Sequence, residues 1–416
     1  MFRYKKVILF SIVLALPLAA ASVPAGKPED AGMSSERLQR IHQAIERHID
    51  AGEISGAVTL VARRGRVVHF EAHGLMDLES KKPMAKDAIF RLASMSKPVT
   101  SVAVMMLVEE GKIRLSDPVS RFIPEFKDTK VAMLRNVPAR PGAPPEIYTI
   151  PVDREITILD LLTHTSGLMS NGIAQAEANR LAPRNPDEDT LATFIPRLGQ
   201  VPLDFQPGTQ WAYSGLAGPD VLSRIVEIVS GQTYDVYLRT RLFEPLGMKD
   251  TFFYPPDDRR PRMPTLYLKN GLKKAPNQDG FSTKTYCSGA AGLMSTAEDY
   301  LQFAQMLLNG GVLNGRRFLG PRTVELMASN HVGDMFNGKL GRPAHGMGFG
   351  FLMAVIEDPV AARMRLSKGS FGWDGAFGTQ TWIDPKEQMV TIIMLQEQVT
   401  QCQRDFENAV MQAIVQ

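Results

Sequence analysis

Apolar residues at Leu38, Ile41, Ile45 and Ile49 recur every three to four positions, which puts one apolar stripe on a helix. Ser34 or Ser35 can cap its start, and Gly52 ends it. Two β-rich runs follow, 57–62 and 67–72, on either side of Arg64-Gly65; this is the pattern of a β-hairpin. Residues 89–92 read as a short extended piece. The period then turns helical after Lys97, near 158–162, over 220–229 and over 234–246, with Gly111, Gly231 and Gly247 closing three of these runs. A helix over 296–308 carries its own cap in Thr296. Strand patterns return at 349–356, 380–383 and 389–395. A last helix runs from about 405 to 414, with Phe406, Ala409, Val410 and Ala413 on one face.

Strands thus occupy both chain ends and helices the middle. The economical arrangement is an α/β (α+β) fold: one antiparallel sheet built from both chain ends, flanked by the terminal helices, with a mainly helical lobe inserted over roughly 100–285. A cleft between the lobes is the natural place for a site. The proline-rich stretches 138–145 and 255–264 read as loops between elements. No internal repeat or low-complexity tract is visible.

With 44% hydrophobic and 22% charged residues, the composition is that of an ordinary globular chain. The net charge is +3. Arg3, Lys5 and Lys6 lie in a first segment that holds no acid, so the rest of the chain is formally neutral. Nothing in it suggests a grip on nucleic acid or an anionic membrane. That first segment, a basic start, an apolar run over 7–18 and Ala19-Ala20-Ala21, reads as a signal peptide over 1–21. It predicts an exported chain, periplasmic or secreted, with no membrane span in its mature form. Export would put Cys287 and Cys402 in an oxidising compartment. They either pair or are two small buried residues, and buried residues are the simpler expectation.

Three segments carry candidate chemistry. Ser94-Met95-Ser96-Lys97-Pro98 contains S-x-x-K, which a chain of this length shows about once by chance. Pro98 is tolerated only in a first helical turn, so the helix starts close to Ser94, and Ser94 and Lys97 share a face. Backbone N–H groups at a helix start favour the oxyanion that a serine's attack creates. A serine hydroxyl needs a base, and Lys97 serves if neutral. Tyr213, on the loop 208–215, can relay a proton between Ser94, Lys97 and a leaving group. Gly372-Trp373-Asp374-Gly375-Ala376-Phe377-Gly378 puts three glycines in a strand-like run, a pattern that lets a substrate approach the backbone. The Ala376 N–H then joins that of Ser94 as an oxyanion hole.

On these segments the chain resembles the serine β-lactamase and penicillin-binding protein superfamily, and most closely the class C β-lactamase-related, family VIII carboxylesterases. S-x-x-K matches Ser94 and Lys97, the second motif matches Tyr213-Ser214-Gly215, and the third, often W-x-G in the esterases, matches Trp373-Asp374-Gly375. The segments 161–168, 245–248 and 291–295 are also similar. The resemblance implies a β-lactamase-like domain over 30–414 and carboxylic ester hydrolysis through a Ser94 acyl-enzyme, with Lys97 and Tyr213 handling protons. It implies no metal or organic cofactor, and as partner a small-molecule ester. Trp373, Asp374, Gly375 and Gly215 then line the substrate. Gly215 stands where Asn is frequent, and Trp373 where β-lactamases have the Lys of K-T-G. Both changes remove groups that hold a lactam substrate, and an inward Asp374 would repel a carboxylate. The rivals are a β-lactamase or D-Ala-D-Ala carboxypeptidase, an acyltransferase, and a non-catalytic penicillin-recognition protein.

Other signals are set aside. G-x-S-x-G, H-E-x-x-H and zinc-spaced Cys pairs are absent. His69 and His73 sit in a strand pattern, where four residues span about 13 Å, too far to share a metal directly. His42 and His48 project to different faces of the first helix. His164 lies in a loop near the expected cleft, and the resemblance implies a structural role for it; the glycines over 346–350 lack the helix and Lys of a phosphate loop.

Overall fold

Arg64 and Gly65 both adopt positive φ, +50° and +71°, the two-residue turn whose twist matches a hairpin. They join β1 (Gly56–Arg63) to β2 (Arg66–Asp77). The computed structural model describes residues 22–135, 146–268, 271–281 and 283–416. Residues 1–21, where a signal peptide is expected, and the stretch 138–145 lie outside the described residues.

The main sheet has eight strands. Its first edge is β3 (Lys82–Pro83), and the C-terminal part supplies β4 (Met347–Phe349), β5 (Ala354–Ile356), β6 (Phe371–Asp374), β7 (Gln380–Asp384) and β8 (Met389–Met394). The order is β4-β5-β6-β7-β8-β1-β2-β3, antiparallel throughout. The two chain ends meet where β1 pairs β8, with Leu60 opposite Ile392. Every residue of β1 is buried, because both faces are covered. Ala57 and Val61 pack into one apolar cluster, Val58, Leu60 and Ala62 into another, as a period of two requires.

Helix α1 (Ser35–Asp50) is capped by the Ser34 side chain, which accepts from the Arg37 N–H. It packs with the C-terminal helix against the sheet, burying Leu38, Ile41 and Ile45 beside Phe406 and Val410. The middle of the chain supplies α2 (Ser96–Glu109) and α3 (Ala217–Ser230), which pack on each other. Helix α4 (Ala297–Leu308), capped by Thr296, lies against β8, β1 and β7. Gly111, Gly231 and Gly247 take positive φ at the ends of their helices.

Four expectations are corrected. The run 349–356 is two strands, because Leu352 takes φ +58° and the Gly350 N–H bonds Met353 O. That turn is wholly apolar and buried, so no polar break marks it. The run 234–246 is helical but passes through a π-turn at Arg239–Phe243. The last helix, α5, spans Thr400–Met411, beginning before its apolar stripe. The middle also holds a hairpin, Lys130–Leu134 with Ile147–Pro151, and the helices Gln175–Leu181 and Leu191–Leu198, which periodicity did not single out. Cys287 and Cys402 are unpaired, and burial pushes both thiols up to about 12. No helix among the described residues is long and apolar enough to cross a membrane.

Candidate active site

Ser94 lies on a 3₁₀ turn, Ala93–Met95, that leads into α2. Ala93 takes φ +46°, a conformation that costs a non-glycine residue about 1–3 kcal/mol. The turn is anchored by Ser96, whose Oγ donates to Ala93 O at 2.7 Å and accepts from the Leu293 N–H at 3.0 Å. Ser96 therefore faces away from the cleft, while Ser94 is half-buried at its wall.

Lys97, one turn on, is fully buried. Its Nζ lies 3.1 Å from Ser94 Oγ and donates to Gly215 O at 2.7 Å and Ala290 O at 2.9 Å, so the two carbonyls take two N–H bonds and a further position on the nitrogen faces the Ser94 hydroxyl. The Tyr213 hydroxyl donates to the same Ser94 Oγ at 2.7 Å, and Lys97 Nζ lies 4.9 Å from the centre of the Tyr213 ring. Two proton carriers thus converge on one hydroxyl oxygen, the arrangement that nucleophile activation needs. The Tyr213 loop is fixed from both sides. The Ala212 N–H bonds His164 O, and Ser214 Oγ accepts from the Gly218 N–H at the start of α3 while donating to Leu168 O. The ring itself sits among His164, Trp211 and Trp373, with centroids 4.9, 6.3 and 5.8 Å away.

The third segment closes the cleft from β6. Gly375 lies against the loop before Ser94: a Cβ there would stand 2.2 Å from Leu92 O, and Thr379 Oγ1 donates to that same carbonyl. Gly378 takes φ +92°. The turn leaves Ala376 exposed, and among the described residues its amide donates to no protein acceptor. Ser94, Tyr213, Trp373, Asp374, Gly375 and Ala376 all line one cleft of about 790 Å³.

Two sequence readings change here. Gly215 does not line the cleft; its contribution is the carbonyl that holds Lys97. Asp374 is not a free negative charge, because Arg342 Nη2 pairs with it at 2.6 Å and the guanidinium lies 5.3 Å from the Trp373 ring centre. Arg342 comes from an irregular loop, and no local pattern announces it. Asp220 was also missed as a site residue. It is fully buried on α3, and burial pushes its carboxyl up although it accepts from the Ala290 N–H, Ser288 Oγ and Tyr286 OH. It thereby fixes Ala290, the residue whose carbonyl receives Lys97. A lone carboxylate beside Val221 and Leu222 was the available signal. His164 is enclosed and has no hydrogen-bond partner on either ring nitrogen. Burial, then the charge of Lys97, holds it well below the usual imidazole range, so it contributes packing against Tyr213.

Among the described residues, the one grouping of His, Cys, Asp and Glu close enough to share an ion is His42, Glu71 and His73, none of which lines the cleft. The rings of His69 and His73 converge after all: both Nε2 atoms meet Thr59 Oγ1, at 2.8 and 2.9 Å.

Fold and site together define a serine hydrolase of β-lactamase-like architecture. The beta-lactamase family model matches residues 41–415, and the chain belongs to that family. It is 36% identical over 369 residues to protein Rv1367c of Mycobacterium tuberculosis (strain ATCC 25618 / H37Rv), covering 85% of this chain and 89% of the relative. It is 29% identical over 396 residues to esterase EstB of Burkholderia gladioli, covering 88% and 91%. The solved structure of EstCE1, described as a hydrolase with promiscuous acyltransferase activity, superposes with a TM-score of 0.75 at 29% identity, covering 90% of this chain and 99% of that one.

Proposed function

We propose that this serine hydrolase is an exported carboxylesterase, periplasmic or secreted, that cleaves small esters through an acyl-enzyme on Ser94. The observation that carries the proposal is the convergence of Lys97 Nζ and Tyr213 OH on Ser94 Oγ at the wall of a cleft. The Ser94 oxygen attacks the ester carbonyl, and its proton passes to the nitrogen lone pair of Lys97 in its amine form, directly or with Tyr213 as relay. The Ser94 and Ala376 amides hold the oxyanion. Tyr213 returns a proton to the departing alcohol, and water then repeats the steps to release the acid. None of these steps calls for a cofactor. The esterase relatives support the substrate class, and the N-terminal pattern supports export.

Trp373 gives the cleft an apolar wall where a lactamase keeps a cation. We therefore expect kcat/KM for p-nitrophenyl acetate or butyrate to exceed that for nitrocefin by at least about 10²-fold, or about 2.7 kcal/mol of differential transition-state binding. Ser94→Ala should abolish acylation by a fluorophosphonate, read by intact mass, whereas Ser96→Ala should retain it. Equal or better turnover of nitrocefin would overturn the esterase assignment while leaving Ser94 as nucleophile. Labelling that survives Ser94→Ala would overturn both. One observation favours the lactamase or peptidase reading: Arg342 supplies a cation in the cleft, and it meets a substrate carboxylate only if it leaves Asp374.

A further inference from the structure

On β2 the residues His69, Glu71 and His73 alternate onto one face, opposite Val61, Thr59 and Ala57 of β1. Helix α1 packs over β2 and brings His42 down to Glu71, with Nδ1 2.7 Å from Oε1. His73 Nδ1 lies 3.9 Å from that same Oε1. His42, Glu71 and His73 each offer one donor atom, and the three lie within 4.8 Å of one another. Around a tetrahedral zinc with bonds near 2.0–2.1 Å, neighbouring donors stand about 3.4 Å apart, so the group needs only small side-chain adjustments to close on an ion.

A second observation points the same way. The His73 side chain is fully buried, and its Nδ1 has no hydrogen-bond partner. Its Nε2 is occupied by Thr59 Oγ1 at 2.9 Å, and Thr59 in turn is shared with His69. Glu46 and Glu71 are both too distant, at 3.9 Å, to bond Nδ1. In either tautomer Nδ1 is thus a buried polar atom left unsatisfied, which costs about 1–3 kcal/mol. A metal-bound imidazole is ordinarily held through its other ring nitrogen by a polar group, the place Thr59 fills here. Glu46, on α1, lies on the same side and is the candidate for a fourth position, which water otherwise takes.

We propose that His42, Glu71 and His73 bind one divalent transition-metal ion of the zinc class, fastening α1 to β2 apart from the ester-cleaving cleft.

The test uses protein purified without a histidine tag and stripped with chelator, titrated with zinc against a chromophoric chelator. The expected result is one zinc per chain with a Kd of about 10 μM or tighter, and a rise in Tm on zinc addition. His42 is largely exposed on the helix surface, so His42→Ala should fold. It should weaken binding at least about 10-fold and remove the Tm rise, and Glu71→Gln should do the same. His345→Ala, a histidine at the cleft, should leave both readings unchanged. No binding below about 100 μM in the unaltered protein would overturn the proposal. So would equal zinc affinity in His42→Ala and the unaltered protein, or loss of binding in His345→Ala alone.

Discussion

At Ser94 a single oxygen has two neighbours able to carry its proton, Lys97 and Tyr213. Lys97→Ala and Tyr213→Phe should each lower kcat by about 10²-fold or more. Because both act on one proton path, the double variant should be little worse than either single one. Multiplicative losses in steady-state kinetics would instead indicate two independent roles. Asp220 acts one residue further out. Asp220→Asn keeps the shape but turns an amide donor toward Tyr286, Ser288 or the Ala290 N–H, all of which donate to it now. The Ala290 carbonyl then loses its fixed direction toward Lys97. The expected outcome is a fall in kcat of about 10-fold with KM nearly unchanged, measured on a p-nitrophenyl ester. A change confined to KM would place Asp220 in substrate binding.

The turn between β6 and β7 is the element on which the proposed oxyanion hole depends. It is clamped to the loop before Ser94 through Gly375 and Thr379, and from behind by Gln403 Nε2 on Gly378 O. Gly375→Ala would push a methyl group against Leu92 O and move the Ala376 amide away from Ser94. We expect kcat to fall by about 10²–10³-fold, the usual loss when one oxyanion donor is withdrawn. Gly215→Ala is the matched comparison. Its Cβ would meet nothing closer than the Tyr213 ring at 3.5 Å, and its working group is a carbonyl that alanine retains. It should keep activity within a few-fold. Loss of activity in Gly215→Ala together with full activity in Gly375→Ala would reverse the roles given to the two loops.

Across the whole molecule, buried carboxyls set a pH dependence of stability. Burial pushes Glu397, whose Oε1 accepts from Ser55 Oγ at 2.6 Å, from its ordinary 4.5 up to about 7, and Asp299 from 3.8 up to about 6. Between the ordinary and the raised value, the unfolded chain has lost its proton while the folded chain still holds it. The folded state then binds more protons, so stability falls as pH rises through this window and levels off above about pH 7. For Glu397 the gap corresponds to on the order of 3 kcal/mol. Glu397→Gln should therefore flatten the decline in Tm between pH 5 and 8, read by thermal denaturation. A Gln variant with the unaltered slope would assign the decline elsewhere. Asp77 acts in the opposite sense. Hydrogen bonds from Thr265, then Ser80, hold it at about 2, so its contribution is lost only as pH falls below about 4.

The sequence by itself determined most of the local elements and singled out the candidate reactive groups. Periodicity located α1, the β1–β2 hairpin, α4 and most of the middle helices, because these depend on which neighbours along the chain are apolar or can cap. Ser94, Lys97 and Tyr213 were legible because helix geometry ties the first two together and a recurrent motif order marks the third. Tertiary structure decided what depends on pairs distant in the chain. It paired Arg342 with Asp374, turned Gly215 from a substrate contact into a carbonyl for Lys97, and set Asp220 under Ala290. It split 349–356 at a turn whose residues are all apolar, where burial, not polarity, fixed the backbone. It also laid His42 of α1 over Glu71 and His73 of β2. Spacing along one strand spoke against shared chemistry among those histidines, but side chains from a helix and a sheet meet through packing, which one-dimensional spacing does not encode.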